Sequence, residues 1–289
     1  FGGIIGAVYN SSRNITVSGC RNEGSIEEVP STAGVAGIAG YIYMSEVMVE
    51  DCVNTGSISA SGTRSNGYNG VAGIVGYYLG HSAKDAVSTV ARCENTGKIS
   101  GRDASYAATG GIVGQAESTV TVEQCFNRGD VTGKAAYAGG IVGDSMGTIA
   151  ECYNGGAVSN TKASPTSSAY AAAGGITGYN ESTAKLYRSY SYGKVSCTAT
   201  SNVYAGGVIG RPANAASIDS EKIYSNKYLE DSAEVGIGQT TSDNESCTSF
   251  EKNKANDILG TIGKAYQADL AAQINSGYPI LRWQNTEAA

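Results

Sequence analysis

GGIVGDSMGTIAECYNGGAV, residues 139 to 158, holds most of one period of a repeat, and the way that period recurs decides the fold. Its opening motif returns as GGIIG (2–6), AGIAG (36–40), AGIVG (72–76), GGIVG (110–114), GGITG (174–178) and GGVIG (206–210). The closing glycines of successive copies are 34, 36, 38, 29, 35 and 32 residues apart. Its final motif, CYNGGAV from Cys152, has counterparts in CRNEGSI (Cys20), CVNTGSI (Cys52), CENTGKI (Cys93) and CFNRGDV (Cys125). The shared form is C-x-N-x-G-x-[IV]. In SYSYGKV, Ser189 and Ser191 replace Cys and Asn, and a worn last copy puts Asn226 in the Cys position.

Between the two motifs lie β-branched or apolar residues in alternation, as at Ile15 and Val17, Val47 and Val49, and Val120 and Val122. A period of two marks a half-buried strand. The step of three from Val122 to Cys125 breaks the phase, which predicts a bulge or corner there. Each repeat thus reads as three short strands: the [VI]-x-[VI] pair, the [IV] after N-x-G, and the Gly-Gly-Ile strand. Asn and Gly tolerate left-handed backbone angles, so N-x-G is expected to be a corner. No single repeat can bury its apolar face, whereas stacked repeats can. With strands ~4.8 Å apart, about seven turns give a column roughly 30 Å long. The expected fold is all-β, a right-handed parallel β-helix of about seven turns, its hand taken from the general crossover preference. A β-propeller is the alternative, with blades of about 40 residues and four strands.

Composition agrees with a turn-rich β protein. Glycine makes up 40 of 289 residues, and the 19 tyrosines far outnumber 3 phenylalanines and 1 tryptophan. Charged residues are 16% and apolar residues 41%, a balance that excludes general disorder. Net charge is −6 with no basic cluster, so nucleic acid lacks its electrostatic footprint. No run reaches the ~18 apolar residues that a membrane span needs. The chain opens on FGGIIG, the middle of a repeat, so further turns are expected before Phe1.

The glycine–aliphatic–x–Gly element followed by C-x-N-x-G-x-[IV] resembles the GLUG-motif repeats of bacterial surface proteins and adhesins. NSGYPILRWQ (275–284) is similar to the closing segment that follows such repeats in gut Firmicutes proteins. The resemblance covers about residues 1–212 and 275–284. It implies an extracellular or cell-surface location and carries no catalytic residues.

After Arg211 the pattern decays. AYQADLAAQINSG (265–277) reads as a helix, with Ile262, Tyr266, Leu270 and Ile274 spaced by four and Gly277 as C-cap. Residues 1–212 are therefore expected to form the column. Residues 213–289 are expected to form a small α+β cap over its open end, anchored by Tyr278 and Trp283.

Several candidate sites follow, each beside a purely structural reading. Arg128-Gly129-Asp130 spells an integrin-type tripeptide, yet only Gly129 is fixed by the repeat while both neighbours vary among copies. Five cysteines at one repeat position would stack either as inter-turn disulfides or as a ladder of free thiols. His81 is the only histidine, which excludes His-based zinc, and no GGxGxD calcium motif occurs. Asp243 and Glu245 form a weak acidic pair in a polar loop. Glu50, Asp51, Glu123 and Glu151 sit just before the cysteines, as an enzyme cleft or as an exposed acidic flank. The loops at 59–70, 77–92 and 160–173 are long. Tyr77, Tyr78 and His81 could form an aromatic platform for a sugar ring, although Tyr77 shares its repeat position with Tyr41 and Tyr179. Tyr137 and Tyr204 lie two residues before a repeat glycine, and Tyr106 and Tyr170 four before.

The leading functional reading is a monomeric, non-catalytic scaffold that presents loops to a host glycan or surface protein, with no cofactor or metal. A carbohydrate-active β-helix enzyme, or its accessory module, is the alternative. A groove lined by three or more carboxylates on consecutive turns would favour it. A pure spacer is the third reading.

Overall fold

The computed structural model describes residues 1–10, 14–30, 33–62, 70–83, 86, 88–104, 106–161, 170–198, 202–214, 218–240, 244–271 and 273–285. The tips of the loops at 59–70 and 160–173, and Asp243, lie outside them. Strands wind into a parallel β-helix, and the parallel pairing rules out a propeller, whose blades are antiparallel meanders. Each turn carries five short strands rather than three. In the turn quoted above they are Val142–Ser145, Thr148–Ala150, Tyr153–Asn154, Val158–Asn160 and Ala171–Gly174. Stacked from turn to turn they build five parallel sheets, called first to fifth in that order, of 7, 7, 8, 6 and 6 strands among the described residues. The two extra strands are the C-x-N segment itself and the residues leading into Gly-Gly, both too short to show an alternation of their own.

Register is set by equivalence in the repeat. Val75 pairs with Val113, Val113 with Val142, and Val142 with Thr177. The main core holds the motif aliphatics Ile38, Ile74, Ile112, Ile141, Ile176 and Val208, all fully buried. Opposite them run Val49, Val90, Val122, Ile149 and Leu186 of the second sheet, with the cysteine ladder between. A second core, with Ile58, Val71, Ile99 and Val131, joins the fourth sheet to the fifth.

The N-x-G corner is built differently from the expectation. The glycine is needed there for close approach rather than for a left-handed angle. A Cβ on Gly97 would lie 2.0 Å from the Gly56 carbonyl oxygen, and one on Gly129 would lie 2.0 Å from that of Gly97. The left-handed residue comes earlier, immediately before Cys. Gly19, Asp51, Arg92, Gln124, Glu151, Arg188 and Ser225 have φ of 63°, 53°, 49°, 49°, 53°, 52° and 58°. This is the corner that the step of three from Val122 to Cys125 predicts.

The column does not stop at residue 212. Ile223–Tyr224 extends the second sheet and Asn226–Leu229 the third, which Cys247–Phe250 then closes. Ile237 bridges to Ile209, and Gly238 packs on Gly210 as each repeat glycine packs on the one before. Gly236-Ile237-Gly238 is thus an eighth, degenerate copy of the glycine motif.

The described residues of 265–277 do not form a helix. Helical structure falls earlier, as a 3-10 segment at Lys252–Ile258 running into one α-turn at Leu259–Ile262. Tyr266–Gln267 pairs antiparallel with Ile280–Leu281. Asp269 explains the difference. Its carboxylate accepts hydrogen bonds from the backbone N–H groups of Ile274, Asn275 and Gly277, at 3.2, 2.7 and 3.2 Å to Oδ2. A short acidic side chain that captures nearby N–H groups competes with the helical ladder. Leu270, the supposed centre of the apolar stripe, is 90% exposed.

Nor does this segment cover the end of the column. It lies along the flank, against the outer face of the third sheet, where Phe126, Tyr153 and Tyr190 stack with centroids 5.0 and 5.3 Å apart. Tyr278 and Trp283 are its anchors. Tyr278 stacks on Tyr192 at 4.0 Å, and Trp283 donates its indole N–H to the Gln124 carbonyl oxygen at 2.9 Å. Tyr266 donates to the carbonyl oxygen of Cys152 at 3.0 Å.

Candidate functional site

The repeat residues fold the chain and do nothing else visible. Asn22, Asn54, Asn95, Asn127 and Asn154 form a buried ladder. Each Nδ2 donates to the Oδ1 of the next Asn, at 2.7, 2.7, 2.6 and 2.8 Å, and Asn154 ends on the Ser191 hydroxyl at 3.3 Å. Each Nδ2 also donates to the carbonyl oxygen two residues on, as Asn127 does to Gly129 at 2.8 Å, so both amide hydrogens are used. Beside it the Cys93 and Cys125 amides donate to the Cys125 and Cys152 sulfurs at 3.4 Å, with Ser189 and Asn226 continuing the row. All seven cysteines are free thiols, and burial pushes those of Cys93 and Cys125 well above the ordinary range. These are inert packing groups.

The sequence-level candidates separate. Arg128 is tied down: it donates to the Ile274 carbonyl oxygen at 2.6 Å and to Glu94 at 3.0 Å, and it lies over the Phe126 ring. Asp130 accepts from the Ala157 amide at 3.1 Å. The tripeptide is a corner whose flanking residues hold neighbouring turns and the flank segment. Glu50 and Asp51 are bridged by Arg92 at 2.6 and 2.8 Å. Glu151 takes Gln124 and Arg188 as partners. That flank is a row of alternating charges rather than a cleft.

Tyr77, Tyr78 and His81 do not form a platform. Tyr78 points into the main core, where its hydroxyl donates to the Val47 carbonyl oxygen. Tyr77 is 1% exposed and stacks on Tyr41, centroids 5.1 Å apart. His81 follows the strand that carries them and accepts a hydrogen bond at Nδ1 from the Ala83 amide, 3.1 Å. The reason is the strand itself, which sends adjacent side chains to opposite faces.

What the fold does assemble is a packed seam between the first and fifth sheets, where Tyr41, Tyr77, Gln115, Asp144 and Tyr137 are all buried. At the Gly-Gly-Ile turn the chain reverses so sharply that a Cβ on Gly139 would lie 1.9 Å from the Val142 carbonyl oxygen. The two sheets are thereby drawn together, and Tyr137 of the fifth stacks on Tyr179 of the first at 4.6 Å. Along the first sheet one ladder runs beside this seam, through Tyr41, Tyr77, Gln115, Asp144, Tyr179 and Arg211. Tyr137 and Tyr204 share one ladder of the fifth sheet through Ala172, as their common offset from the glycines predicts. Tyr9 and Tyr43 extend the aromatic rim at one end. At the other, the Arg211 guanidinium lies 3.7 Å from the Tyr170 ring and 5.2 Å from that of Tyr179.

Three carboxyls stand on three consecutive turns here. Glu117 accepts from the Tyr77 hydroxyl at 3.1 Å and from Gln115 Nε2 at 3.2 Å, and burial, then the nearby charge of Glu181, raises its pKa. Glu181 occupies the rim two turns on. Asp144 lies on the turn between them, 7% exposed. Its Oδ1 accepts no hydrogen bond among the described residues. Burial, with the charges of Glu181 and Glu117 behind it, pushes Asp144 up to about 8. A carboxyl so placed holds its proton at neutral pH and can both donate and accept. Sequence reading missed Asp144 and Glu117 because both occupy variable positions. The available signal was their place one and three residues after the closing glycine of the motif, Asp144 at the repeat position of Tyr41 and Tyr179. Among the described residues no three His, Cys, Asp or Glu side chains are grouped so as to hold a metal ion, and no helix is long and apolar enough to cross a membrane.

No protein-family model matches this chain, and no curated protein matches it. A solved structure, reported as a "putative immunoglobulin A1 protease from Bacteroides ovatus", is similar in fold, with a TM-score of 0.53 at 18% identity over 98% of this chain and 74% of that one. At that identity the likeness speaks for a shared β-helical architecture alone.

Proposed function

We propose that this chain is a non-catalytic, extracellular repeat module of a bacterial cell-surface protein, and that the tyrosine rim of its seam meets a host glycan. One observation carries the reading. Residues fixed by the repeat are consumed by folding, whereas aromatic residues that vary from turn to turn collect along one seam, at whose rim Tyr9, Tyr43, Tyr170, Tyr179 and Tyr204 keep part of their surface. Tyrosine rings offer flat apolar faces to sugar C–H groups, and Glu181 at the rim offers a hydrogen-bond partner to hydroxyls. The likeness to GLUG-motif repeats of adhesins points the same way. The test is a glycan array probed with the whole chain and with Tyr179→Ala. A defined set of bound glycans, lost in the variant, is the expected result. Uniform silence from a folded chain would leave the spacer reading in its place.

A further inference from the structure

The fourth and fifth sheets stop a turn before the second and third do. In the fourth, Ile26, Ile58, Ile99, Val131 and Val158 each donate their backbone N–H to a carbonyl oxygen of the next turn, at 2.8, 2.9, 2.8, 2.8 and 2.8 Å. Val195, the next residue of that row, has no such bond among the described residues, because its strand, Val195–Cys197, is the last of the sheet. The fifth sheet likewise ends on Val203–Gly206, and onward bonding resumes at Gly207, whose amide donates to the Val235 carbonyl oxygen at 2.8 Å. The second and third sheets meanwhile run on through Ile223–Tyr224 and Asn226–Leu229. The chain then leaves the strand path in a 3-10 turn, Glu230–Ser232, and rejoins the column at Ile237.

Between that segment and the two strand edges lies a groove of about 810 Å³, with Val195, Val203 and Ala205 on one side. The other side carries Glu230, Asp231 and Glu234, all exposed, and none of them enters an ion pair among the described residues. Lys254 stands near Glu230 but is bound to Glu251 at 2.6 Å, which leaves Lys194 as the one cation lining the groove among the described residues. An unpaired strand edge is a template for another extended segment, whose main chain supplies the missing hydrogen bonds. The acidic side favours a basic segment over an acidic one. A second copy of this chain is a poor match. The strand at the opposite end of the fourth sheet, Ile26–Val29, exposes Glu27 and Glu28, so head-to-tail stacking sets like charges against each other. We propose that this end of the column is a strand-addition site for an extended, lysine-bearing segment of a partner protein, which pairs with the free edge at Val195. The inference stands whether or not the tyrosine rim meets a glycan.

The test is fluorescence polarisation with the whole chain, at neutral pH and low salt, against a short labelled peptide of alternating valine and lysine. A valine–glutamate counterpart and two lysine peptides N-methylated on every second residue, one in each register, complete the set. The lysine peptide is expected to bind, and the glutamate peptide about tenfold more weakly or less. Methyl groups in the register that faces the edge should weaken binding about tenfold or more, the strength of two backbone hydrogen bonds, while the other register is tolerated. Val195→Pro removes the donor from an edge where no internal bond uses it, and should abolish binding. Glu230→Gln together with Glu234→Gln, both on the surface, should shrink the preference for lysine about threefold with the thermal midpoint unchanged. Silence of the folded chain toward the lysine peptide, or binding that tolerates methylation in both registers, overturns strand addition. Equal binding of the lysine and glutamate peptides overturns the basic partner. If the chain alone sediments as end-to-end oligomers that Val195→Pro dissolves, the edge belongs to a second copy and the assignment to a basic partner is wrong.

Discussion

Two regions of each turn carry opposite lessons. At the C-x-N-x-G corner the same residues recur rung after rung, and at the seam between the first and fifth sheets the equivalent positions read Tyr, Tyr, Gln, Asp, Tyr, Arg. The corner is constrained by its neighbours above and below. Each Asn spends one amide hydrogen on the next Asn, or at Asn154 on the Ser191 hydroxyl, and a glycine must meet a glycine because no room exists for a Cβ. The seam ladder lies outside the main core, so a side chain there answers to its local neighbours in the first and fifth sheets. Uniformity marks what the column needs, and variety marks where it is free to differ.

That contrast can be broken most violently at the corner. Gly97→Val would drive its side chain into the Gly56 carbonyl with backbone on both sides, so a loss of more than about 4 kcal/mol, or outright failure to fold, is expected in denaturant unfolding. Near-native stability would mean that the corner glycines are not required for close approach. Asn127→Ala removes the middle of the amide ladder and leaves Asn95 Nδ2 and the Gly129 carbonyl oxygen short of partners. About 3 kcal/mol should be lost, since buried orphaned groups retain their desolvation cost.

At the seam the expected effect is smaller and depends on pH. Asp144 is raised to about 8 in the folded chain, above the ~3.9 of an unfolded Asp, so between these values the folded state binds the extra proton. The contribution of this group to stability is therefore full below about pH 4 and is lost as pH rises through about 8. Asp144→Asn should flatten that slope, and above pH 8 it should melt higher than the native chain, by an order of 2 kcal/mol. Parallel pH profiles for the two proteins would show that Asp144 is ordinarily ionised. The mildest effect belongs to the flank. Arg128→Ala should cost about 1 kcal/mol and raise hydrogen exchange around residues 273–285, because the guanidinium holds the Ile274 carbonyl. Asp130→Glu should leave adhesion to integrin-bearing cells unchanged, and its abolition would restore the tripeptide as a ligand.

Much of the column was legible because repetition turns three-dimensional neighbours into a visible pattern. Ile141 and Val122 could each be placed on the inside from their recurrence, Asn127 at a corner with Cys125 just before it, and the Val122-to-Cys125 step announced a bend; that Asn127 is buried in an amide ladder was not legible. The pattern failed where the repeat thins. Gly236-Ile237-Gly238 is too short to declare itself an eighth copy, and two strands per turn are too brief to alternate. The spacing of Tyr266, Leu270 and Ile274 imitated a helix because periodicity counts positions and does not register that Asp269 draws in the backbone amides around it. For the surface, the sequence placed Tyr77 beside Tyr41 and Tyr179 in the repeat but could not say that Tyr77 is covered and Tyr78 is inside.

The sequence by itself determined that this chain stacks its repeats into one column, since only stacking pairs like with like along the Gly, Ile, Cys and Asn ladders. Tertiary structure alone decided where chemistry gathers. Asp144, Glu117 and Glu181 lie 27 and 37 residues apart in sequence. Only the winding of the helix brings their charges within reach of one another, and only the glycine reversal folds a tyrosine wall over them.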